Sequence, residues 1–269
     1  MSSIISEPLV IGYTCCGPTF RKSVYDKLKN YYFDDDNLFY CIVTDDKSYF
    51  ESLDRKNLIV NELKDFYDEF PSLEKNEYFL ESIDEQEYAQ KFIQNNYLFS
   101  FSTYRFNVLQ AIRLDIKNVA MLCADTIITF NGVNENLFQN TNSMYNAISW
   151  WYSNADAPLS VGYMDMKPII RFLENKYNKP IERNLLVLDE AARLYIPNTL
   201  DDLKKLFNVW NEVIEFLYEN KKINQYKGSY VIHDEYILAP IYNLLDINLK
   251  NISNLFDVKH NKEVERFWM

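Results

Sequence analysis

Three short runs constrain this chain more than anything else in it: PLVIGYT at residues 8–14, LFYCIVT at 38–44 and NVAMLCA at 118–124. Each is apolar or β-branched along nearly its whole length, so neither face is left for water. Strands of that kind are covered on both sides, as in parallel sheets with helices above and below. Between the first two runs lie the turn CCGP, with Gly17 and Pro18, and then TFRKSVYDKLKNYY. In that stretch Phe20, Val24, Leu28 and Tyr31 recur at helical spacing. Ahead of the third run, Tyr104, Val108, Leu109 and Ile112 do the same. This order predicts an α/β fold in which strands 8–14, 38–44 and 118–124 are neighbours in one largely parallel sheet. NLIVNEL, at 57–63, is a possible third strand or edge element.

The second half reads as richer in helix. MKPIIRFLENKYN has Pro168 near its start and Pro180 beyond its end, and NTLDDLKKLFNVWNEVIEFLYENKK is the longest helical pattern. Thr199 or Asp201 can cap that helix, and Leu203, Leu206, Phe207, Trp210, Ile214 and Leu217 form its apolar stripe. NSMYNAISWWYSN reads as an aromatic-rich surface helix or loop, and PLSVGYMDM as a strand. KGSYVIHDEYILAPIYNLLDI is a short strand running into an acid-rich helix start. No repeat or low-complexity linker divides the chain, so residues 1–269 are expected to form one unit.

Composition bounds the partners. Lys and Arg number 28 against 39 Asp and Glu, a net charge of −11, which does not draw the chain to nucleic acid or anionic lipid. No apolar run reaches the length of a membrane span, and MSSIISEPLVIGY lacks the order of a signal peptide, so a cytoplasmic protein is expected. Cys15, Cys16, Cys41 and Cys123 have no paired CxxC spacing and are expected to be reduced and buried. Five glycines beside abundant Asn, Lys, Ile and Tyr suit an AT-rich genome, such as that of a virus, a parasite or an AT-rich bacterium.

Chemistry enters where the strands end. VAMLCADTIITF sets Asp125 between two apolar runs, where an unpaired carboxylate is costly. LFYCIVTDD ends in Thr44, Asp45 and Asp46, and carboxyl ends of open parallel sheets are where ligand groups sit. His233, Asp234 and Glu235 follow the strand-like SYVI, and Asp189 and Glu190 follow LVL. Either acidic pair could equally complement a helix N-terminus. Asp34, Asp35 and Asp36 precede a strand and read as a solvated loop.

YRFNVLQAIRLDIKNVAMLCADTIITF, over 104–130, resembles a segment of GT-A fold nucleotide-sugar glycosyltransferases. There an Arg-bearing helix precedes a hydrophobic strand ending in an Asp-x-Asp motif. VIGYTCCGP followed by LFYCIVTDD extends the resemblance, in pieces, to half the chain. It implies a single GT-A-like domain over 1–269: a Rossmann-type, mostly parallel sheet flanked by helices, with residues 1–130 as the nucleotide-binding half and a helix-rich C-terminal half, 131–269, on the acceptor side. It also implies a hexosyl- or pentosyltransferase using a nucleoside diphosphate sugar and Mn²⁺ or Mg²⁺. The acceptor would be a hydroxyl of a glycan, a protein or a modified DNA base.

On this resemblance Asp125 matches the motif aspartate that usually holds the metal, while Cys123 stands where the first acid would be. A strand-terminal Asp capping a turn is the competing reading. His233 is the further metal ligand the resemblance suggests. Tyr13 and Thr14, with Thr44 and Asp45, would hold base and ribose, and Arg105 would face the diphosphate or pair with an acid near Asp125, a solvated charge on the helix surface being its competing reading. Asp234 and Glu235, or Asp189, would serve the acceptor as catalytic base. A non-catalytic nucleotide- or glycan-binding module on the same scaffold is the alternative. A nucleotidyltransferase is a weaker third, since it needs a second acid near Asp125.

Overall fold

The computed structural model describes residues 5–66, 68–69, 104–122, 126–127, 138–139, 142–146, 149–152, 166–188, 192–220, 225–226, 229–230, 234–251 and 259–260. The first half contains β1 (Leu9–Cys15), α1 (Pro18–Tyr31), β2 (Leu38–Thr44), β3 (Leu58–Glu62), α2 (Tyr104–Arg113), β4 (Asn118–Leu122) and β5 (Thr126–Ile127). Short 3-10 turns cover Lys47–Phe50 and Leu63–Phe66. The second half adds β6 (Ser143–Asn146), β7 (Ser149–Tyr152), α3 (Lys167–Tyr177), β8 (Leu185–Leu188), β9 (Ala192–Ile196) and α4 (Leu200–Glu219). After these come β10 (Gln225–Tyr226), β11 (Ser229–Tyr230), α5 (Asp234–Leu244), β12 (Asn248–Asn251) and β13 (Lys259–His260).

The three apolar runs do become neighbours. A seven-stranded sheet has the order β12-β6-β9-β4-β1-β2-β3, and β1 pairs in parallel with both β2 and β4. β3 continues the parallel set at one edge, as NLIVNEL suggests. β9 alone runs antiparallel, to β4 on one side and β6 on the other, and strands of both halves thereby share one sheet. The fold is α/β, with a mixed, mostly parallel sheet flanked by helices.

Alternation along β1 shows why both faces had to be apolar. Leu9, Ile11, Tyr13 and Cys15 pack with Val24 and Leu28 of α1, while Val10 packs on the opposite face with Tyr104, Val108 and Ala111 of α2. Gly17 makes the turn between β1 and α1 with φ of 88°, which glycine adopts without steric cost, and Pro18 opens the helix. At α4, Thr199 and Asp202 form a reciprocal capping box, and Leu203, Leu206, Trp210, Ile214 and Leu217 are buried as their spacing predicts.

Two expectations need correction. The segment 142–154 is neither helix nor surface loop where it is described. It supplies β6, with Ser143, Met144 and Tyr145 buried in the main sheet, and β7, which pairs with β8. Its aromatic content suits a strand once partners are present on either side. Asp35 is not solvated like its neighbours: it is buried, and it accepts hydrogen bonds from the backbone N–H of Ile5 and of Asn37. It thus ties the N-terminal segment to the approach to β2. The strand read for 158–166 lies outside the described residues, apart from Met166. Among the described residues no helix is long and apolar enough to cross a membrane.

Candidate active site

The chain steps from β1 to β2 on one side and reaches β4 on the other, so strand order reverses between β1 and β4. A crevice forms outside the carboxyl ends of strands at such a switch point. β1 ends beside Thr44 of β2, and Tyr13 lies beside Leu122, the last residue of β4.

The β1–β2 corner is held by Asp45. Its Oδ2 accepts the Gly17 N–H at 3.0 Å and its Oδ1 accepts Arg21 Nη1 at 2.5 Å, with only 11% and 18% of the Arg21 and Asp45 side chains exposed. Arg21 is held protonated above its ordinary range: burial works against the charge, but the Asp45 bond outweighs it. Asp46 accepts from Ser48 Oγ at 2.6 Å and starts the 3-10 turn, while its own N–H donates to Thr44 Oγ1. Thr44 is fully buried. Asp45 therefore works here as a clamp between the β1 turn, α1 and the end of β2. Asp45→Ala is expected to destabilise the protein by about 3 kcal/mol, since it strands a partly buried guanidinium and a backbone donor. Asp45→Asn should cost about half as much, because it keeps an acceptor. Urea midpoints measure both, and an unchanged midpoint for Asp45→Ala would remove the clamp.

Tyr13 and Thr14 face opposite sides of the sheet. Tyr13 is 4% exposed among the residues under α1, its hydroxyl pushed well above its ordinary pKa by burial, with the Lys27 amino group 5.9 Å from the ring centroid. Thr14 faces α2, and its hydroxyl donates to Asn107 Oδ1 at 3.4 Å. Asn107 is fully buried directly over Gly12. Neither Asn107 nor Gly12 stands out by charge or motif. The signal was a glycine inside an apolar strand, which marks a close backbone approach.

Arg105 is not a solvated surface charge. It is 1% exposed in the first turn of α2 and donates through Nη1 to Asn211 Oδ1 of α4 at 2.8 Å. A second buried guanidinium, Arg193 in β9, escaped the sequence reading, although a lone arginine inside AARLYI was a visible sign.

Asp125, with Cys123, lies outside the described residues, three positions beyond the end of β4. So do His233, Asp189 and Glu190. Asp234 and Glu235 begin α5, but their side chains are outside the described set. Cys15 and Cys41 are buried and unpaired by disulfides, and burial pushes the Cys41 thiol up to about 12. Among the described residues no three His, Cys, Asp or Glu side chains come together as a metal site, and Asp45 is already committed to Gly17 and Arg21. The described strand ends thus do not make up a cation site by themselves.

No protein-family model matches the chain, and no curated protein matches its sequence. Among solved structures it is similar to the galactosyltransferase LgtC in complex with donor and acceptor sugar analogs, at 11% identity and a TM-score of 0.41, over 87% of this chain and 70% of that one. An active-site mutant of LgtC is similar at 12% identity and a TM-score of 0.43, over the same shares. Likeness so slight has no bearing on activity, and the sheet order and the strand ends carry the functional reading.

Proposed function

We propose that the chain is a cytoplasmic glycosyltransferase of the GT-A type, moving a hexosyl or pentosyl group from a nucleoside diphosphate sugar to an acceptor hydroxyl. The observation that carries this reading is the parallel β2-β1-β4 arrangement, whose switch point lies where the chain leaves β4 three residues before Asp125. That juxtaposition is what the resemblance of 104–130 requires.

In this reading the nucleotide lies across the ends of β1 and β2, beside Thr14 and the Thr44–Asp46 edge, with its diphosphate toward the end of β4. Asp125 and His233 are the residues that would hold Mn²⁺ or Mg²⁺, which supplies positive charge against the departing diphosphate. As the acceptor oxygen bonds to the anomeric carbon, the bond from that carbon to the diphosphate oxygen breaks. The acceptor proton passes to a carboxylate, for which Asp234, Glu235 and Asp189 are the candidates. A net charge of −11 sets a glycan or protein hydroxyl ahead of a DNA base as acceptor.

Cys123 in place of a motif acid favours one other reading, a nucleotide- or glycan-binding module without turnover. Calorimetric titration with a panel of nucleoside diphosphates, with and without Mn²⁺, followed by assay of sugar-nucleotide turnover, tests both. Binding with turnover supports the enzyme, and binding without turnover supports the module. If no nucleotide binds under either condition, the enzyme and the nucleotide-binding module both fall.

A further inference from the structure

The first turn of α1 opens at the carboxyl end of β1, where open α/β sheets commonly seat a phosphate. Backbone N–H groups without helical partners and the helix dipole both favour an anion there. In this chain an anion is already in place, and it belongs to the chain itself. Asp45, one residue past the end of β2, accepts the N–H of Gly17, the N-cap of α1, at 3.0 Å and Arg21 Nη1 at 2.5 Å. The same turn holds donors that this carboxylate does not use. Thr19 Oγ1 and Arg21 Nε are buried and have no hydrogen-bond partner among the described residues. The charge of Asp45 is felt along the end of β1: burial pushes the Cys15 and Cys16 thiols up, and the Asp45 carboxylate adds to the rise. Asp46, the next residue, carries a second carboxylate, which accepts from Ser48 Oγ.

Capping a helix needs only an acceptor, and an uncharged serine or asparagine supplies one. A carboxylate at this position does something more. Phosphate oxygens brought to Gly17 and Arg21 would have to displace a group held at two points, one of them a charge-assisted bond. They would also meet the repulsion of Asp46 in a corner that water screens poorly.

We propose that Asp45 is a specificity-determining residue that closes the N-terminus of α1 to phosphate. The uncharged base and ribose of a nucleotide are accepted across the ends of β1 and β2, while the diphosphate is turned away from this corner and toward the end of β4. This rests on the nucleotide site proposed above, and it gives that site a polarity. The class of ligand admitted is a nucleoside diphosphate with its phosphates on the β4 side, and a phosphate at the α1 turn is refused.

The test opens the corner, on the full chain. Inorganic phosphate is titrated calorimetrically, in EDTA, into wild type, Asp45→Ala, and Asp45→Ala combined with Arg21→Met. Asp45→Ala is expected to bind phosphate about tenfold or more tightly than wild type, and the added Arg21→Met to remove that gain. No gain, or a gain that survives Arg21→Met, overturns the inference. Uridine and guanosine diphosphates are then titrated into wild type and Asp45→Ala, in EDTA and in Mn²⁺. In Asp45→Ala the better-bound diphosphate should gain about threefold or more in EDTA, and its strengthening by Mn²⁺ should shrink by a similar factor, because its phosphates now have a second place to rest. A metal response equal to that of wild type overturns the polarity. Should Asp45→Ala fail to fold, Asp45→Asn decides, since its amide keeps an acceptor for Gly17 without the charge; the phosphate gain is then about threefold. Phosphate refused by the variants while wild type binds a diphosphate sinks this inference alone. No diphosphate binding to wild type, with phosphate gained by Asp45→Ala, sinks the glycosyltransferase reading and its polarity but upholds the closed corner.

Discussion

Gly12→Ala is expected to destabilise the protein by about 3 kcal/mol or more, at the upper end of overpacking effects. Gly12 lies in the middle of β1, between Cys41 of β2 and Met121 of β4, so the strand cannot slide aside without breaking two ladders. A Cβ at this position would stand 2.3 Å from Asn107 Cβ, 2.4 Å from its Cγ and 2.7 Å from its Oδ1. The nearest of these atoms is fixed to the backbone of α2, so no change of rotamer relieves the clash. Relief requires the whole helix to lift, and that would open the Val10–Val108–Ala111 contact. A second substitution separates this cause from others. Asn107→Ala keeps the offending Cβ and should not rescue Gly12→Ala. Asn107→Gly removes it and should recover most of the loss, less about 1 kcal/mol for glycine in a helix. Urea denaturation reads all four proteins, and a Gly12→Ala midpoint close to wild type would mean that α2 does not rest on β1 at this residue.

Asp125→Ala should lower turnover of the sugar-nucleotide donor by about a hundredfold to a thousandfold, the scale on which a group stabilising transition-state charge acts. The strand that leads to it is buried at every described position, from Asn118 to Leu122, so the chain leaves β4 from a rigid base. Nucleoside diphosphate affinity should also lose its response to Mn²⁺ in the variant. The competing role, a strand-end carboxylate capping a turn, predicts something different: a loss of about 1 kcal/mol in stability, with donor binding and its metal response intact. The two outcomes are read in the same titration, alongside a urea midpoint. Because Asp45 is engaged with Gly17 and Arg21, it is not free to take over from Asp125.

Much of the scaffold was legible before any coordinates. PLVIGYT, LFYCIVT and NVAMLCA announced buried strands because apolar content over a strand length depends only on neighbours in the chain. Helices 104–113, 167–177 and 200–219 were legible for the same reason, through spacing, prolines and a cap. The acids at the ends of LFYCIVT were visible, but their use was not. Whether Asp45 waits for a ribose or clamps a turn depends on Arg21, which lies 24 residues away and reaches it only once α1 has folded back on β1.

The same division runs through the rest of the chain. Sequence by itself determined that the three apolar runs avoid water and that the long amphipathic segments have a helical period, since these follow from side-chain chemistry and local backbone geometry. Tertiary structure alone decided that β6 belongs in the main sheet, that Asp35 is buried and that Arg105 meets Asn211 across 106 residues. It alone decided that α2 rests on Gly12, and that Arg193 loses its water beside the end of β4. Strand pairing and the desolvation of a polar group are properties of contacts between distant parts of the chain, and no window of neighbouring residues contains them.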